Sequence, residues 1–471
     1  MKTNITILKV TRFIVILMIT SMGLGVTSCN EDQKAGPSES IVEIAQAQPN
    51  LSSLVAALTK YPDLVATLSG SGQYTVFAPT NDAFSALLTA VGQTNINDVP
   101  ENVLKSLLQY HVVTSGALLS NQLTAGNIVT ANGESIAVTL SGGIKFNNSA
   151  SVVTADVRAS NGVVHVVNQV LVPASIAKFV NTVVEPAYFN KNFTTLIAAV
   201  TAASPNILTT LLNSSKKTLF APTNAAFTAA GITTLPNQAT LDAVLTYHVI
   251  GSEVRASQLP TNTAPANSAI TTLGGVFYLS NRGSSGVFIN GRTRVTTTDI
   301  LADNGVVHVI DRTLMPPSQT IDQIVTSLSG GNPAQFTQLR AALNRVPALV
   351  TAAGSASSNL TVFAPTDAAF QALYTALGVA NVNAININTL TAVLQHHIVS
   401  APTTATGRVF SRDLVSAAVP TLNGNITLNA TAGTVTSGNG TVATIETTPA
   451  LINVLGTNGV IHTINNVLIP Q

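Results

Sequence analysis

The chain has 471 residues, which at ~100–200 residues per domain predicts about three domains. Charged residues make up 9% and hydrophobic residues 46% of the chain, so its composition excludes an intrinsically disordered protein. The formal net charge of +1 argues against nucleic acid as a partner, because such proteins carry a basic surface. The single cysteine, Cys29, excludes an internal disulfide and a zinc site built from several thiolates.

The amino terminus has the pattern of a secretory signal peptide. Basic residues between Lys2 and Arg12 precede an apolar run that extends from Phe13 to Val26. This run is shorter than the ~20 residues that cross a bilayer as a helix. We therefore predict that residues 1–28 are a signal peptide, and we leave them out of the fold.

The sequence Val26-Thr27-Ser28-Cys29 resembles the lipoprotein box of bacteria, in which small residues precede a cysteine that becomes the new amino terminus. The resemblance implies a diacylglyceryl thioether on Cys29 and an acylated amine. Several acyl chains, at ~0.8 kcal/mol per buried CH₂, would form a stable membrane anchor. The alternative is an ordinary signal peptide that is cleaved elsewhere, which would leave Cys29 as a free thiol.

Residues 29–40 are polar and contain a Gly-Pro pair, which is typical of a short flexible tether. The acidic pair Glu31-Asp32 resembles the signal that sends some bacterial lipoproteins to the cell surface. We therefore expect a lipid-anchored protein of the cell envelope, placed at the outer membrane and exposed at the surface.

After residue 40 the sequence repeats itself three times. One motif reads Phe-Ala-Pro-Thr and recurs at a constant spacing of 143 residues, beginning at Phe77, Phe220 and Phe363. Another motif reads Asn-Gly-Val-(Val/Ile)-His and begins at Asn161, Asn304 and Asn458. The motifs keep their order, which predicts three tandem copies of one domain, over residues 41–174, 175–317 and 318–471.

Each motif predicts a local structure. Tyr74 to Ala78 has the composition of a strand that Pro79 ends, and Thr80 or Asn81 would cap the helix that follows. In the next helix, apolar residues at helical spacing place His111 on the buried face near the helix end. The Asn-Gly pair predicts a hairpin turn with both central residues at positive φ, followed by a central, buried strand that contains His165.

The same residue types recur in every copy, and we expect them to build the fold. They are Phe77, Pro79, Thr80, His111, Gly162 and His165 in the first copy; Phe220, Pro222, Thr223, His248, Gly305 and His308 in the second; and Phe363, Pro365, Thr366, His397, Gly459 and His462 in the third. The third copy has His396 where the others have tyrosine. It also carries about 11 extra residues, which we place between Ala443 and Gly456.

These motifs resemble those of the fasciclin-like domain family, an extracellular module that is associated with adhesion. The resemblance covers residues 40–470 and implies an α+β fold, a wedge of two β-sheets with several helices packed on its amino-terminal side. The residues themselves favour the same class, since helical patterns precede the first motif and short strands follow the helix-end histidine.

The histidines argue against an enzyme. All seven fall at the repeated positions or, for His396, in place of a repeated tyrosine, so none is left for a unique catalytic centre. The motifs supply no carboxylate that all copies share, since Asp82 becomes Ala225 and Ala368. Two histidines of one copy make a poor zinc site without a third ligand. We therefore predict no catalytic residue, no metal and no cofactor, with the histidines hydrogen-bonded inside the fold.

Two other features leave alternatives open. Arg282, Arg292 and Arg294 form a small basic cluster that would meet an anionic glycan or would merely be solvated. Tyr188 and Phe189 would either stack on sugar rings or pack the seam between the first two copies.

Two functions therefore remain. The first is adhesion to a surface or matrix protein or polysaccharide, in which repeated domains gain avidity. The second is glycan capture by a lipoprotein of an outer-membrane uptake system.

Overall fold

A computed structural model describes residues 37–399, 407–448 and 451–471 of the chain. The predicted signal peptide, Cys29 and most of the predicted tether lie outside the described residues. The described chain has the predicted α+β class, and it repeats one order of elements three times. In each copy helices precede a strand, two further helices follow it, and the remaining strands close the copy.

The helices and strands have the following bounds. The first copy contains α1 (Ile41–Ala47), α2 (Ser52–Leu58), α3 (Pro62–Ser69), β1 (Tyr74–Pro79), α4 (Asn81–Ala90), α5 (Glu101–Tyr110), β2 (Val112–Val113), β3 (Gly126–Val129), β4 (Ser135–Thr139), β5 (Lys145–Phe146), β6 (Ala150–Ala159) and β7 (Gly162–Val167). The second contains α6 (Ala174–Ala177), α7 (Glu185–Tyr188), α8 (Thr194–Ala202), α9 (Pro205–Leu212), β8 (Lys217–Pro222), α10 (Asn224–Ala229), α11 (Gln238–Tyr247), β9 (Val249–Ile250), β10 (Ser268–Thr272), β11 (Gly275–Asn281), β12 (Val287–Ile289), β13 (Thr293–Ala302) and β14 (Gly305–Ile310). The third contains α12 (Ile321–Ser329), α13 (Thr337–Asn344), α14 (Pro347–Gly354), β15 (Leu360–Pro365), α15 (Asp367–Leu377), α16 (Ile387–His396), β16 (Ile398–Val399), β17 (Ala417–Pro420), β18 (Asn425–Asn429), β19 (Thr434–Thr436), β20 (Val442–Thr444), β21 (Val454–Gly456) and β22 (Gly459–Ile464).

The motif strands form the centre of each sheet. In the first copy β1 pairs with β7 in parallel, and the register places Phe77 opposite His165. The order is β2-β1-β7-β6-β5-β4-β3, and the second copy has the same order in its own strands. Every residue of β7 is buried, as predicted for a strand with two apolar faces.

Each copy has two hydrophobic cores, one on each side of the paired motif strands. On the helical side Val76, Ala78 and Val164 pack against the helices, whereas Phe77 and Val167 face a second core that the later strands cover. Successive side chains of a strand point to opposite faces, so the alternation along β1 supplies both cores. The second and third copies repeat the division.

The long strand that joins the two halves of the sheet is interrupted in the third copy. In the first copy β6 runs through an irregularity between Thr154 and Val157. In the third copy β20 and β21 replace it, and the strands form two separate four-stranded sheets. Our placement of the insertion was correct only in part. By their hydrogen bonds and strand pairing, Thr444 corresponds to Ser151 of the first copy and Val454 corresponds to Val157. The segment from Thr444 to Val454 is four residues longer than the segment from Ser151 to Val157. The other extra residues lie between His397 and Thr444.

Almost no linker separates the copies. Helix α6 begins at Ala174, directly after the last motif proline of the first copy, and α12 begins at Ile321. In the part of the chain that the structure describes, no single helix is long and apolar enough to cross a membrane. The segments Lys191–Ala202 and Pro205–Leu212 reach that length and composition together, but they meet at an angle of 120°.

Candidate functional site

The first motif makes the predicted turn from strand to helix. The Oγ1 of Thr80 accepts a hydrogen bond from the backbone N–H of Ala83 at 3.2 Å, so Thr80 is the N-cap of α4. Thr223 and Thr366 cap α10 and α15 in the same way. Phe77, Phe220 and Phe363 are fully buried on the preceding strands, and Pro79, Pro222 and Pro365 end these strands.

The residue after the capping threonine has a role that the sequence analysis missed. Asn81 accepts a hydrogen bond from the Ser53 N–H at 2.9 Å and donates one to the Pro49 carbonyl oxygen at 2.9 Å. Asn224 and Asp367 hold the equivalent helices of the other copies through the same kind of contact. The motif therefore joins the start of α4, which follows the end of β1, to the start of α2. This role is structural.

Each helix-end histidine joins the end of its own helix to the last segment of its copy. In His111, Nδ1 lies 2.7 Å from the Leu107 carbonyl oxygen, and Nε2 accepts the Leu171 N–H at 2.8 Å. His248 and His397 make the equivalent two bonds. Because Nε2 is an acceptor, the proton is on Nδ1 and the ring is neutral. Burial lowers the pKa of all three rings to about 4.

The strand histidines join the two halves of each sheet. The Nε2 of His165 lies 2.9 Å from the Leu118 carbonyl oxygen, and its Nδ1 accepts the Asp156 N–H at 3.3 Å. His308 repeats both contacts. His462 keeps only the first, to the Val409 carbonyl oxygen, and its Nδ1 has no hydrogen-bond partner among the described residues. In the third copy Asn453 takes the place of Asp156: it has φ +52° against +60°, and its side chain accepts the Ser411 N–H as that of Asp156 accepts the Ser120 N–H. The hydrogen bond to the histidine ring is the part that is missing among the described residues.

The Asn-Gly motif corrects one prediction. The hairpin forms, but Ala159 pairs with Gly162, so Ser160 and Asn161 are the central residues and Asn161 does not have positive φ. Gly162 has φ +152°, and a Cβ there would lie 2.1 Å from the Tyr74 carbonyl oxygen. A Cβ on Gly305 or Gly459 would likewise lie 1.9 or 2.5 Å from a carbonyl oxygen of the neighbouring strand. Glycine is required at these positions because two backbones approach each other there, and not because a type I′ turn needs a positive φ.

Asn161 is a buried clamp, which the sequence analysis did not recognise. Its Oδ1 accepts the Ile41 N–H at 2.9 Å, and its Nδ2 donates to the Leu68 and Gly70 carbonyl oxygens at 2.7 and 2.9 Å. One side chain therefore satisfies the start of α1 and the end of α3. Asn304 and Asn458 make the same three bonds in their copies.

The three arginines of the basic cluster have different surroundings. Arg282 pairs with Asp413 of the third copy at 2.6 Å, Arg292 turns to the cleft between the second and third copies, and Arg294 is exposed. The Asp413 carboxylate is fully buried and also accepts hydrogen bonds from Ser280 and Asn267. This polar network joins the two copies, and nothing in the local sequence indicates it.

The aromatic pair between the first and second copies packs the seam. Phe189 is 1% exposed and belongs to the core of the first copy. Tyr188 is half-buried and stacks on Phe179 with 4.1 Å between the ring centroids. An exposed ion pair between Lys191 and Asp98 lies at the same junction.

His396 takes the place of a buried tyrosine. The Tyr110 hydroxyl donates to the Ser135 carbonyl oxygen at 2.8 Å, whereas the Nδ1 of His396 lies 2.5 Å from the Asn423 carbonyl oxygen. The Nε2 of His396 is buried without a partner among the described residues. The described residues contain no group of three or more metal-ligating side chains. Most polar atoms of the repeated motifs are therefore engaged in the fold, with the Nδ1 of His462 as an exception.

Comparison with known proteins identifies the family. The fasciclin domain model matches residues 49–173, 191–316 and 334–470. Protein sll1483 of Synechocystis is 42% identical over 28% of this chain and 73% of its own length. Transforming growth factor-beta-induced protein ig-h3 of Sus scrofa is 30% identical over 53% of this chain, and human periostin is 28% identical over 64%. The chain spans 36% and 34% of the length of these two relatives.

A solved structure of a FAS1 domain pair from the insect cell adhesion molecule fasciclin I also matches, at 18% identity and a TM-score of 0.29. The match covers 59% of this chain and 97% of that one. Three matches to one family model, over most of the described residues, show that the chain belongs to the fasciclin domain family.

Proposed function

We propose that this chain is a non-catalytic adhesion protein, which a lipid on Cys29 holds on the cell envelope and whose three domains bind partners through their outer faces. The main support is the direction of the motif side chains. His111, His248 and His397 use both ring nitrogens to hold the fold. The residues that define the family are therefore occupied in the interior, and binding is left to the exterior.

The exterior suits weak and repeated contacts. Strands β3 and β10 end their sheets, as does β17 in the third copy, and each pairs along one side only in its sheet. Such edges carry open backbone groups that can pair with an extended partner. Three similar edges on one chain would raise the apparent affinity by avidity, without a strong single site.

The alternative is a glycan-capture lipoprotein of an outer-membrane uptake system. The two functions differ in affinity for a short free saccharide. Capture predicts one site that holds such a saccharide tightly, whereas adhesion predicts weak binding that becomes strong only when several contacts engage one surface. Isothermal titration with purified chain distinguishes them, since a Kd well below about 1 μM for a short saccharide would replace the adhesion proposal by capture.

The anchor is tested in cells that produce the chain. Cys29→Ser should release the protein from the membrane fraction, whereas Ser28→Ala keeps a small residue before the cysteine and should leave it bound. Retention of the Cys29→Ser protein in the membrane fraction would show that no lipid holds it. Labelling of intact cells with a membrane-impermeant amine reagent then shows whether the chain faces the exterior.

Adhesion is tested by attachment of the same cells to a matrix-coated surface. Cells with the wild-type chain should attach better than cells with Cys29→Ser, and an excess of soluble chain beginning at residue 30 should compete. Equal attachment of both cell types would contradict the proposal.

A further inference from the structure

A polar cleft lies where the second and third domains meet. It has two lobes with volumes of about 390 and 370 Å³. Arg292, Arg312 and Asn453 line both lobes, so the two lobes form one continuous cleft. Each lobe falls in the ~300–1,000 Å³ range that is typical of small-molecule sites.

The cleft is basic, and none of the described residues in its walls is acidic. Arg292 and Arg312 come from the second domain, and Arg412 joins them from the third. Among the residues that the structure describes, no aspartate or glutamate lines either lobe, and no ion pair includes any of these arginines. Burial, and then the nearby charge of Arg312, lower the pKa of Arg292. An anion between these two guanidinium groups would relieve their repulsion.

A second observation also points to a ligand. Thr313 lines one lobe and is 3% exposed, yet its Oγ1 has no hydrogen-bond partner among the described residues. Buried hydroxyl groups are normally paired. This oxygen is itself covered by the cavity wall, so a rotation of the Thr313 side chain would be needed to present it to a ligand or to water. Neutral amide and hydroxyl side chains, such as Gln319 and Thr447, line the rest of the polar surface.

The fold itself does not require these arginines. By position along the chain, Arg312 corresponds to Gln169 of the first domain and Arg292 to Ser149, and both replacements are uncharged. The walls of the cleft are also fixed to each other. The Nδ2 of Asn453 in the third domain donates to the Gly291 carbonyl oxygen of the second at 3.2 Å.

We propose that this cleft binds an acidic polysaccharide, with the arginines paired to uronate carboxylates and the amide and hydroxyl groups paired to sugar hydroxyls. The inference rests on the proposed binding function and names a ligand class for it. A planar guanidinium binds a carboxylate through two parallel hydrogen bonds, which matches a ligand that carries carboxylates at regular intervals. No aromatic side chain of the described chain lines the cleft, so these walls lack the stacking platform that single-stranded nucleic acids use.

The test is isothermal titration of the full mature chain with hexagalacturonate at low salt. Wild type should bind one equivalent, and Arg292→Gln with Arg312→Gln should weaken binding at least tenfold. Arg312 also donates a hydrogen bond to the Ala229 carbonyl oxygen, and its substitution removes that contact as well. Arg412→Gln leaves this hydrogen bond intact and should also weaken the binding of hexagalacturonate. Arg294→Gln is the control for the single substitution Arg412→Gln, because it removes one positive charge from an exposed position of β13 that does not line the cleft. A thermal melt of each variant verifies its fold.

The proposal would be overturned if wild type does not bind hexagalacturonate or if the Arg294→Gln control loses as much binding as the cleft variants. Equal binding of neutral maltohexaose or of poly-L-glutamate would overturn it as well. Equal competition by inorganic phosphate would also overturn it, since the cleft would then be a simple anion site. The titration does not measure attachment. A chain that fails it and still mediates attachment of cells would refute the cleft and leave the adhesion proposal standing.

Discussion

Arg282 of the second domain and Asp413 of the third form an ion pair of 2.6 Å, in which the carboxylate is 0% exposed. Ser280 and Asn267 donate further hydrogen bonds to the same carboxylate from the second domain, at 2.5 and 2.7 Å. The Phe410 N–H completes its partners from the third domain. The two domains are therefore joined by a satisfied buried charge, a contact that tolerates little change in geometry.

Removal of the arginine should uncouple the two domains. Arg282→Gln leaves the Asp413 carboxylate buried without its counter-ion, which typically costs about 3–5 kcal/mol. We expect calorimetry to show a separate, lower-temperature transition for one of the two domains. Arg255→Gln is the control, because it removes an arginine from an exposed pair with Glu253 in the same domain. Equal effects of the two substitutions would show that the buried pair does not join the domains.

Gly291 should be required by the same interface. It has φ +68°, and a Cβ there would lie 2.4 Å from the Cβ of Phe410 in the third domain. Gly291→Ala combines the left-handed cost of about 1–2 kcal/mol with an overlap that typically costs another 1–3 kcal/mol. Gly283→Ala has the same kind of backbone, at φ +58°, but meets nothing within 4 Å. Urea unfolding should therefore show a clearly larger loss for Gly291→Ala, and similar losses would argue against a tight junction.

The repeats made most of the fold predictable, because each motif is a local signal that occurs three times. A strand that ends at Pro79 and a helix capped by Thr80 depend on neighbours within a few residues. The junction between the second and third domains depends on contacts between residues about 130 positions apart, such as Ser280 and Asp413. Asp413 occupies the place that Gln122 and Gln258 have in the other copies, at the end of a short 3-10 turn. Its pairing with Arg282 of the second domain is not indicated by any local sequence pattern.

The hydrogen bonds of Asn161 also could not be predicted from the local sequence. The glycine that follows Asn161 indicates a turn, but the three hydrogen bonds of the side chain reach the backbone of Ile41, Leu68 and Gly70. These partners lie about 90 to 120 residues away along the chain. A periodic pattern indicates which face of an element is buried, whereas it does not indicate which distant backbone group a polar side chain satisfies.

Removal of the clamp should destabilise the first domain. Asn161→Ala removes three buried hydrogen bonds at about 1 kcal/mol each, and it leaves backbone groups at two helix ends unpaired. We expect a loss of at least about 3 kcal/mol in the free energy of unfolding. Asn168→Ala removes an exposed asparagine of the same copy, whose side chain accepts one backbone hydrogen bond from Ser151. Circular dichroism during urea unfolding measures both variants, and equal losses would contradict the clamp.

The buried histidines should make the protein less stable as the pH falls from about 6.5 to about 4. Burial lowers the pKa of His111, His248, His397 and His462 to about 4, from an ordinary value of 6.5. In this window the unfolded chain binds protons that the folded chain excludes, so stability is complete above about 6.5 and is lost on acidification. Each such ring contributes a slope of up to about 1.4 kcal/mol per pH unit.

The slope is measured by urea unfolding, followed by circular dichroism, at several pH values between 7.0 and 4.5 and at constant ionic strength. His111→Gln removes one of these rings and should reduce the slope for the first domain by about one proton, even if its stability at pH 7 is lower. A carboxylate that titrates in the same window is present in both proteins, so the difference between the two slopes isolates the imidazole. An unchanged slope would mean that His111 binds its proton equally well in the folded and unfolded chains, which is incompatible with a neutral ring that accepts the Leu171 N–H through Nε2.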